Sequence, residues 1–177
     1  MSLQTLRESL PDYAKDTKLN LSAIQREGEL TETMQWGTIL ATAAASRNAT
    51  VLTAALEDAR GHLSAEEIDA ALGAASIMAM NNVFYRARHF LHGTYDDLRA
   101  GLRMNIIGRS GGVPKGTFEL WAFAVSTVNG CEQCVRAHEA TLRQEGVTRE
   151  QILEGMRIAS VMAALGQTLF LQETLAA

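Results

Sequence analysis

The sequence predicts an all-helical protein. Two prolines occur in 177 residues, and proline is the residue least compatible with a helix interior. Alanine-rich stretches at residues 41–45, 70–79 and 159–164 supply the residue with the highest helix propensity. Hydrophobic residues make up 47% of the chain and charged residues 20%, which is typical of soluble globular domains. We therefore expect one helical domain over residues 1–177.

The charge and hydropathy patterns argue against two classes of partner. The formal net charge is −4, so the chain lacks the basic surface that binds nucleic acids or anionic membranes. No apolar stretch reaches membrane-spanning length without polar interruption, and residues 1–10 are amphipathic, without a signal core. We expect no nucleic-acid or membrane partner and a cytoplasmic location, where stable structural disulfides are uncommon.

Three helices are predicted before residue 62. The first stops at Pro11, ahead of the polar run 15–18. Its leucines have helical spacing, at Leu3, Leu6 and Leu10. The second helix spans residues 31–46, with Thr31 as its N-cap, and the third spans residues 50–61.

A longer helix is predicted to follow. Ser64 and Glu67 have the spacing of a capping box, which predicts a helix start, and the helix is expected to end near Asn82 or beyond Tyr85. Residues 110–114, Ser-Gly-Gly-Val-Pro, predict a break. Three further helices are then expected: residues 118–128, the cysteine segment after the Asn129-Gly130 interruption, and residues 148 to near the C-terminus.

The chain shows signs of an internal duplication. A shift of about 84 residues superposes similar stretches: residues 64–68 on 148–152, residues 75–79 on 159–163, and Trp36 on Trp121. We predict two similar halves, about 1–100 and 101–177; convergent alanine-rich composition is the alternative explanation. The positions that match Cys131, Cys134 and His138 are Ser46, Ala49 and Thr53. Thiol chemistry is therefore expected in the second half alone.

The two cysteines of the chain, Cys131 and Cys134, are three residues apart, and His138 follows one helical turn later. On a helix these three side chains share one face. Two neighbouring thiols can form and reopen a disulfide, and an imidazole can transfer the protons that each step needs. The pattern favours a dithiol redox centre. A metal site or a pair of inert thiols are the alternatives, although a structural zinc site requires four ligands.

Electrostatic arguments apply to two residues near the cysteine helix, Cys131 and Glu119. Asn129-Gly130 places Cys131 close to a helix N-terminus, where free amides and the helix dipole favour a thiolate. Glu119 lies in an apolar stretch, where a carboxylate is costly unless it is partnered. From physical chemistry alone, we slightly favour a solvated Glu119 in the first helical turn.

The segment 80–86, Met-Asn-Asn-Val-Phe-Tyr-Arg, is unusual because two adjacent amides end an apolar helix. We expect these amides to cap carbonyl groups or to hold a loop or a neighbouring subunit, without a catalytic role. His89 and His92 are expected at the surface.

These residues together resemble one known family. The segments 80–86 and 102–107, Glu119 and the Cys-x-x-Cys-x-x-x-His pattern closely resemble the alkyl hydroperoxide reductase AhpD family, a branch of the carboxymuconolactone-decarboxylase-like superfamily. The resemblance covers essentially the whole chain. It implies an all-helical fold of two similar halves that assembles as a homotrimer.

The resemblance also implies an activity and its partners. The implied role is an antioxidant thiol–disulfide oxidoreductase with modest alkyl hydroperoxide reductase activity of its own. It implies that a lipoyl-bearing 2-oxoacid dehydrogenase component, together with dihydrolipoamide dehydrogenase, donates the electrons. It also implies that an AhpC-type peroxiredoxin accepts them. The dihydrolipoyl group belongs to the partner, so no tightly bound cofactor or metal is expected.

Site roles follow from the resemblance residue by residue. Cys134 matches the attacking thiol, Cys131 matches its disulfide partner and proton donor, and Glu119 and His138 match the proton relay. This assignment differs from the helix-terminus argument, which favours Cys131 as the thiolate; we follow the resemblance because His138 stands one turn after Cys134. Gln133 occupies a position where the best-known family pattern has histidine.

Other functions stay open at this level. One is a stand-alone thiol peroxidase with another electron donor. A second is a lactone decarboxylase of the wider superfamily, which would not need the cysteine pair. A third is a metal-binding or scaffold module.

Overall fold

The computed structural model describes residues 1–26 and 28–176, and within these ranges it contains helices and turns but no β-strand. The predicted all-helical class is confirmed. The helices in the described ranges are α1 (Leu3–Ser9), α2 (Lys15–Ala23), α3 (Glu32–Ala45), α4 (Ala49–Ala59), α5 (Ala65–Phe90), α6 (Asn105–Gly108), α7 (Lys115–Val128), α8 (Glu132–Gln144) and α9 (Arg149–Ala176). Short 3-10 turns occur at Asp12–Ala14 and Ser110–Gly112.

Several predicted helix boundaries are confirmed by their capping contacts. Thr31 caps α3 by accepting the Met34 N–H at 3.3 Å. Ser64 and Glu67 form the predicted capping box, in which each side chain accepts the other residue's backbone N–H. The break before α7 is also present, since Pro114 immediately precedes that helix.

Other boundaries differ from the prediction for local reasons. The polar run 15–18 lies within α2, a helix that the sequence pattern did not indicate. Helix α4 begins one residue early because the Asn48 side chain accepts the N–H groups of Thr50 and Val51. Helix α7 begins directly after Pro114, before the predicted residue 118. Helix α5 ends at Phe90, which agrees with the expected end beyond Tyr85.

The core is built around the packing of α3 against α7, and both helices also contact α5 and α9. Gly37 on α3 lies against Trp121 on α7, so an added Cβ would overlap the indole ring. The indole Nε1–H donates to the Met34 carbonyl at 3.1 Å, in a buried contact. Because Gly37 has no side chain, α3 can pack closely against the Trp121 indole of α7.

Helices α3, α4 and α5 contain 14, 11 and 26 residues, and α7, α8 and α9 contain 14, 13 and 28. This succession is the one that the predicted duplication requires, and the duplication itself stays a prediction. In the described part of the chain, no helix is both long and apolar enough to cross a membrane.

The capping box of α5 gives a test of linkage between pH and stability. The pKa of Glu67 lies below its ordinary value, chiefly because its carboxylate accepts the Ser64 N–H. Partial burial raises this pKa, whereas hydrogen bonds with the hydroxyls of Thr33 and Ser64 lower it further. A lowered folded-state pKa stabilises the fold above the unfolded-state pKa, and this stabilisation is lost as the pH falls through the folded-state pKa.

Glu67→Gln should therefore lower the free energy of unfolding by about 0.5–1 kcal/mol at neutral pH and have little effect near pH 3, as measured by urea unfolding. Glu66→Gln is the control, because it removes a charge from the same turn at a carboxylate that takes no part in the capping box. It should give a smaller difference between the two pH values. A Glu67→Gln effect independent of pH would contradict the linkage.

Candidate dithiol site

The two cysteines lie at the start of α8. Cys131 is the N-cap residue, with extended backbone, and Cys134 is in the first turn. They form a disulfide with a Cα–Cα distance of 5.3 Å. Gly130 adopts φ of +65°, a conformation that favours glycine and lets the chain turn from α7 into α8. The predicted proximity and the helix-terminal position are confirmed, except that Cys131 caps the helix and does not lie on its face.

The two sulfur-bearing residues differ in their exposure. Cys131 is fully buried, at 0% of its surface, whereas Cys134 retains 7%. The Cys131 N–H donates to the Ser126 carbonyl at 3.1 Å, which anchors the loop that carries it. Both residues are buried, and what exposed surface the pair retains belongs to Cys134.

Glu119 and His138 form a buried pair across the α7–α8 interface. Oε2 of Glu119 lies 2.6 Å from Nδ1 of His138, and Glu119 is only 7% exposed. The interpretation of Glu119 as a solvated first-turn residue is wrong, because α7 begins early enough to bury this carboxylate beneath α8. The imidazole supplies the partner that a buried carboxylate requires.

The second nitrogen of His138 contacts a residue that the sequence did not reveal. Nε2 lies 3.3 Å from Sδ of Met78, on α5, and Met78 is 1% exposed. Within the described residues, neither imidazole nitrogen hydrogen-bonds to a cysteine sulfur. In this disulfide form His138 is thus directed at Glu119 and Met78. In the sequence, the one feature that distinguishes Met78 is its place in the stretch 75–79, which resembles the stretch 159–163.

The unusual amide segment on α5 holds the loop before Cys131. The Asn82 amide donates to the Ser126 hydroxyl at 2.8 Å, and the Asn129 amide donates to Asn82 Oδ1 at 2.9 Å. Arg86 donates to the Asn129 carbonyl. Of the roles expected for this segment, holding a loop is confirmed for Asn82.

The remaining polar residues around α8 lie at the surface. His89 and His92 are exposed, as predicted, and His89 Nε2 lies 3.7 Å from Glu132 Oε2. Gln133 is exposed too. Across residues 1–26 and 28–176, no group of three or more His, Cys, Asp or Glu side chains is arranged to hold a metal ion.

This fold and site have the features of a carboxymuconolactone-decarboxylase-like protein. The model of the carboxymuconolactone decarboxylase family matches residues 94–171. The matched range contains Glu119, both cysteines and His138. It does not contain Met78 or Asn82, which come from the first half of the chain.

Comparison with full-length relatives identifies the family of the chain more specifically. The chain is 59% identical over 177 residues to alkyl hydroperoxide reductase AhpD of Nocardia farcinica, covering 100% of this chain and 98% of the relative. It is 59% identical over 169 residues to the AhpD of Mycobacteroides abscessus, covering 96% of each. It is 55% identical over 175 residues to the AhpD of Mycobacterium tuberculosis, covering 99% and 98%. The chain belongs to the alkyl hydroperoxide reductase AhpD family, and the resemblance stated above is confirmed.

Proposed function

We propose that the protein is an antioxidant thiol–disulfide oxidoreductase with alkyl hydroperoxide reductase activity. The observation that carries the proposal is the disulfide between Cys131 and Cys134 at the start of α8, beside the buried pair of Glu119 and His138. The relatives named alkyl hydroperoxide reductase AhpD support the same assignment.

In the proposed cycle, Cys134 is the attacking thiol. Its thiolate displaces the alcohol ROH from an organic hydroperoxide ROOH, taking one oxygen to become a sulfenic acid while a proton passes to the leaving oxygen. The Cys131 thiol then attacks the sulfenic sulfur, so that the disulfide forms and water leaves. The small remaining surface of Cys134 and the complete burial of Cys131 support this division of roles.

Glu119 and His138 act in this proposal as the proton relay. The 2.6 Å contact between them lets a proton move between carboxylate and imidazole with little rearrangement. His138 follows Cys134 by one helical turn, so a change of its side-chain rotamer brings the imidazole toward the reduced thiol. Gln133 has an amide at the family's histidine position, and an amide does not shuttle protons near neutral pH. The relay therefore depends on the buried pair.

The proposed electron donor is a dihydrolipoyl group of a 2-oxoacid dehydrogenase component, regenerated by dihydrolipoamide dehydrogenase. That dithiol becomes a disulfide as the Cys131–Cys134 disulfide becomes two thiols, so two electrons and two protons are transferred. The protein then reduces an AhpC-type peroxiredoxin, and no tightly bound cofactor is needed. A cytoplasmic location belongs to the same proposal.

Coupled turnover tests the whole scheme. NADH, dihydrolipoamide dehydrogenase, the lipoyl-bearing component, this protein and an AhpC-type peroxiredoxin should together oxidise NADH when an organic hydroperoxide is added. Glu119→Gln should lower the rate by about 100-fold, whereas Glu132→Gln, at an exposed carboxylate beside the site, should not. Full activity without the lipoyl component would contradict the proposed donor and favour a stand-alone thiol peroxidase.

The two cysteines are expected to behave differently when one is removed. Cys131→Ser should accumulate a mixed disulfide between Cys134 and the peroxiredoxin, because the resolving thiol is absent. Cys134→Ser should form none. Non-reducing electrophoresis with mass spectrometry detects the adduct, and an adduct on the Cys134→Ser variant would reverse the assignment.

We also propose that the chain, a single domain of two duplicated halves, assembles as a homotrimer. Large apolar side chains remain exposed around the end of α5, at Val83, Phe90, Leu91, Tyr95 and Leu98. Contiguous exposed apolar surface of this kind is typical of association sites. Light scattering at micromolar concentration should give three times the 19.2 kDa mass of one chain. A mass near that of one chain would contradict assembly, and twice that mass would contradict the threefold state.

A further inference from the structure

We propose that Met78 is a positioning residue of the dithiol centre, which holds the Nε2–H of His138 while the disulfide is intact and releases it to the Cys134 thiolate on reduction. This inference rests on the proposed function in one respect, namely that the Cys131–Cys134 pair cycles between disulfide and dithiol.

The contacts of His138 favour one tautomer of its ring. A thioether sulfur has lone pairs and no hydrogen to donate, so the 3.3 Å contact between Nε2 and Met78 Sδ is a hydrogen bond when Nε2 carries the hydrogen, which is the tautomer that we assign. The 2.6 Å contact between Nδ1 and Glu119 Oε2 likewise requires one proton between two atoms that both carry lone pairs.

Burial makes the methionine contact necessary. The side chain of His138 is 14% exposed and Met78 is 1% exposed, so water has little access to replace the sulfur. A buried N–H without an acceptor is costly. The Asn82 amide donates one hydrogen to the Ser126 hydroxyl at 2.8 Å and the other to the same sulfur at 3.9 Å, but a thioether sulfur has two lone pairs and can accept a second hydrogen. The sulfur of Met78 is therefore available to Nε2.

Reduction of the disulfide provides the Nε2–H of His138 with a second acceptor, the Cys134 thiolate. Disulfide sulfurs are uncharged, whereas the Cys134 thiolate is an anionic acceptor, and hydrogen bonds to an ionised partner are roughly twice as strong as neutral ones. Because Cys134 and His138 are one turn apart on α8, the imidazole can exchange the thioether for the thiolate. Met78 thus stabilises the oxidised centre and contributes little to the reduced centre.

The redox equilibrium with glutathione tests the inference. Two glutathione molecules supply two electrons and two protons to the disulfide and become glutathione disulfide. Met78→Leu keeps the volume and apolar character but removes the acceptor, so the equilibrium should move about 3- to 10-fold toward the dithiol. A tenfold change corresponds to about 30 mV for a two-electron couple. Alkylation of free thiols followed by mass spectrometry measures the ratio.

The chain provides a matched control in Met162. This methionine occupies the equivalent place in the stretch 159–163, is fully buried on α9, and has no hydrogen-bond contact with His138. Met162→Leu should leave the equilibrium with glutathione unchanged, so a specific effect of Met78→Leu separates sulfur acceptance from general repacking. Equal shifts for the two leucine variants, or no shift for either, would overturn the inference.

The wild-type protein supplies a second readout that needs no variant. NMR should show a nuclear Overhauser effect between the Met78 methyl group and the His138 ring in the oxidised protein, and this effect should weaken on reduction. An effect of equal strength in both states would overturn the inference while leaving the proposed function intact. A disulfide that glutathione and dithiothreitol both fail to reduce would instead overturn the proposed function and the inference together.

Discussion

The contact between Glu119 and His138 is the constraint on which the site depends. Helix α7 is apolar on every side around Glu119 and lies in the core, so a carboxylate there requires a partner from a neighbouring helix. His138 on α8 meets it at 2.6 Å. Breaking such a buried pair by removing one member typically costs about 3–5 kcal/mol. The register of α8 on α7 is thereby fixed, and with it the position of the cysteine turn at the start of α8.

The connection between α7 and α8 is held in place by residues of α5, which lies in the first half of the chain. Asn82 and Arg86, on α5, hold Ser126 near the end of α7 and Asn129 just after it, while Met78 on α5 reaches the imidazole. The family model begins at residue 94, after all of these α5 residues. The two cysteines, Glu119 and His138 thus lie in the second half, but α5 of the first half completes the geometry around them. Separating the halves would leave the Asn129 amide without Asn82 and Nε2 of His138 without Met78, although Glu119 would remain beside the imidazole.

The sequence predicted features that depend on local interactions. Capping residues such as Thr31 and Ser64 mark helix starts because they act within one turn, and the cysteine pair was placed correctly for the same reason. The burial of Glu119 was not predictable from physical chemistry alone, because a helix that is apolar all round gives no indication of which side meets α8. Met78 was equally hidden, since a buried methionine on an alanine-rich helix has the pattern of an ordinary core residue. Helix α2 was missed because its polar start at residues 15–18 resembles a loop.

The identity of the attacking cysteine illustrates how access and electrostatics combine at this site. The helix terminus alone does not distinguish the two thiols, because Cys131 is the N-cap of α8 and Cys134 lies within its first turn, where the free N–H groups act on both. Access does distinguish them, since thiol exchange depends on which sulfur an incoming group can reach. Cys131 is fully buried and tied to the Ser126 carbonyl, so the proposed cycle must begin and end at Cys134. In that proposal the partner thiol, Cys131, is the buried member of the pair and resolves the intermediate by attacking Cys134.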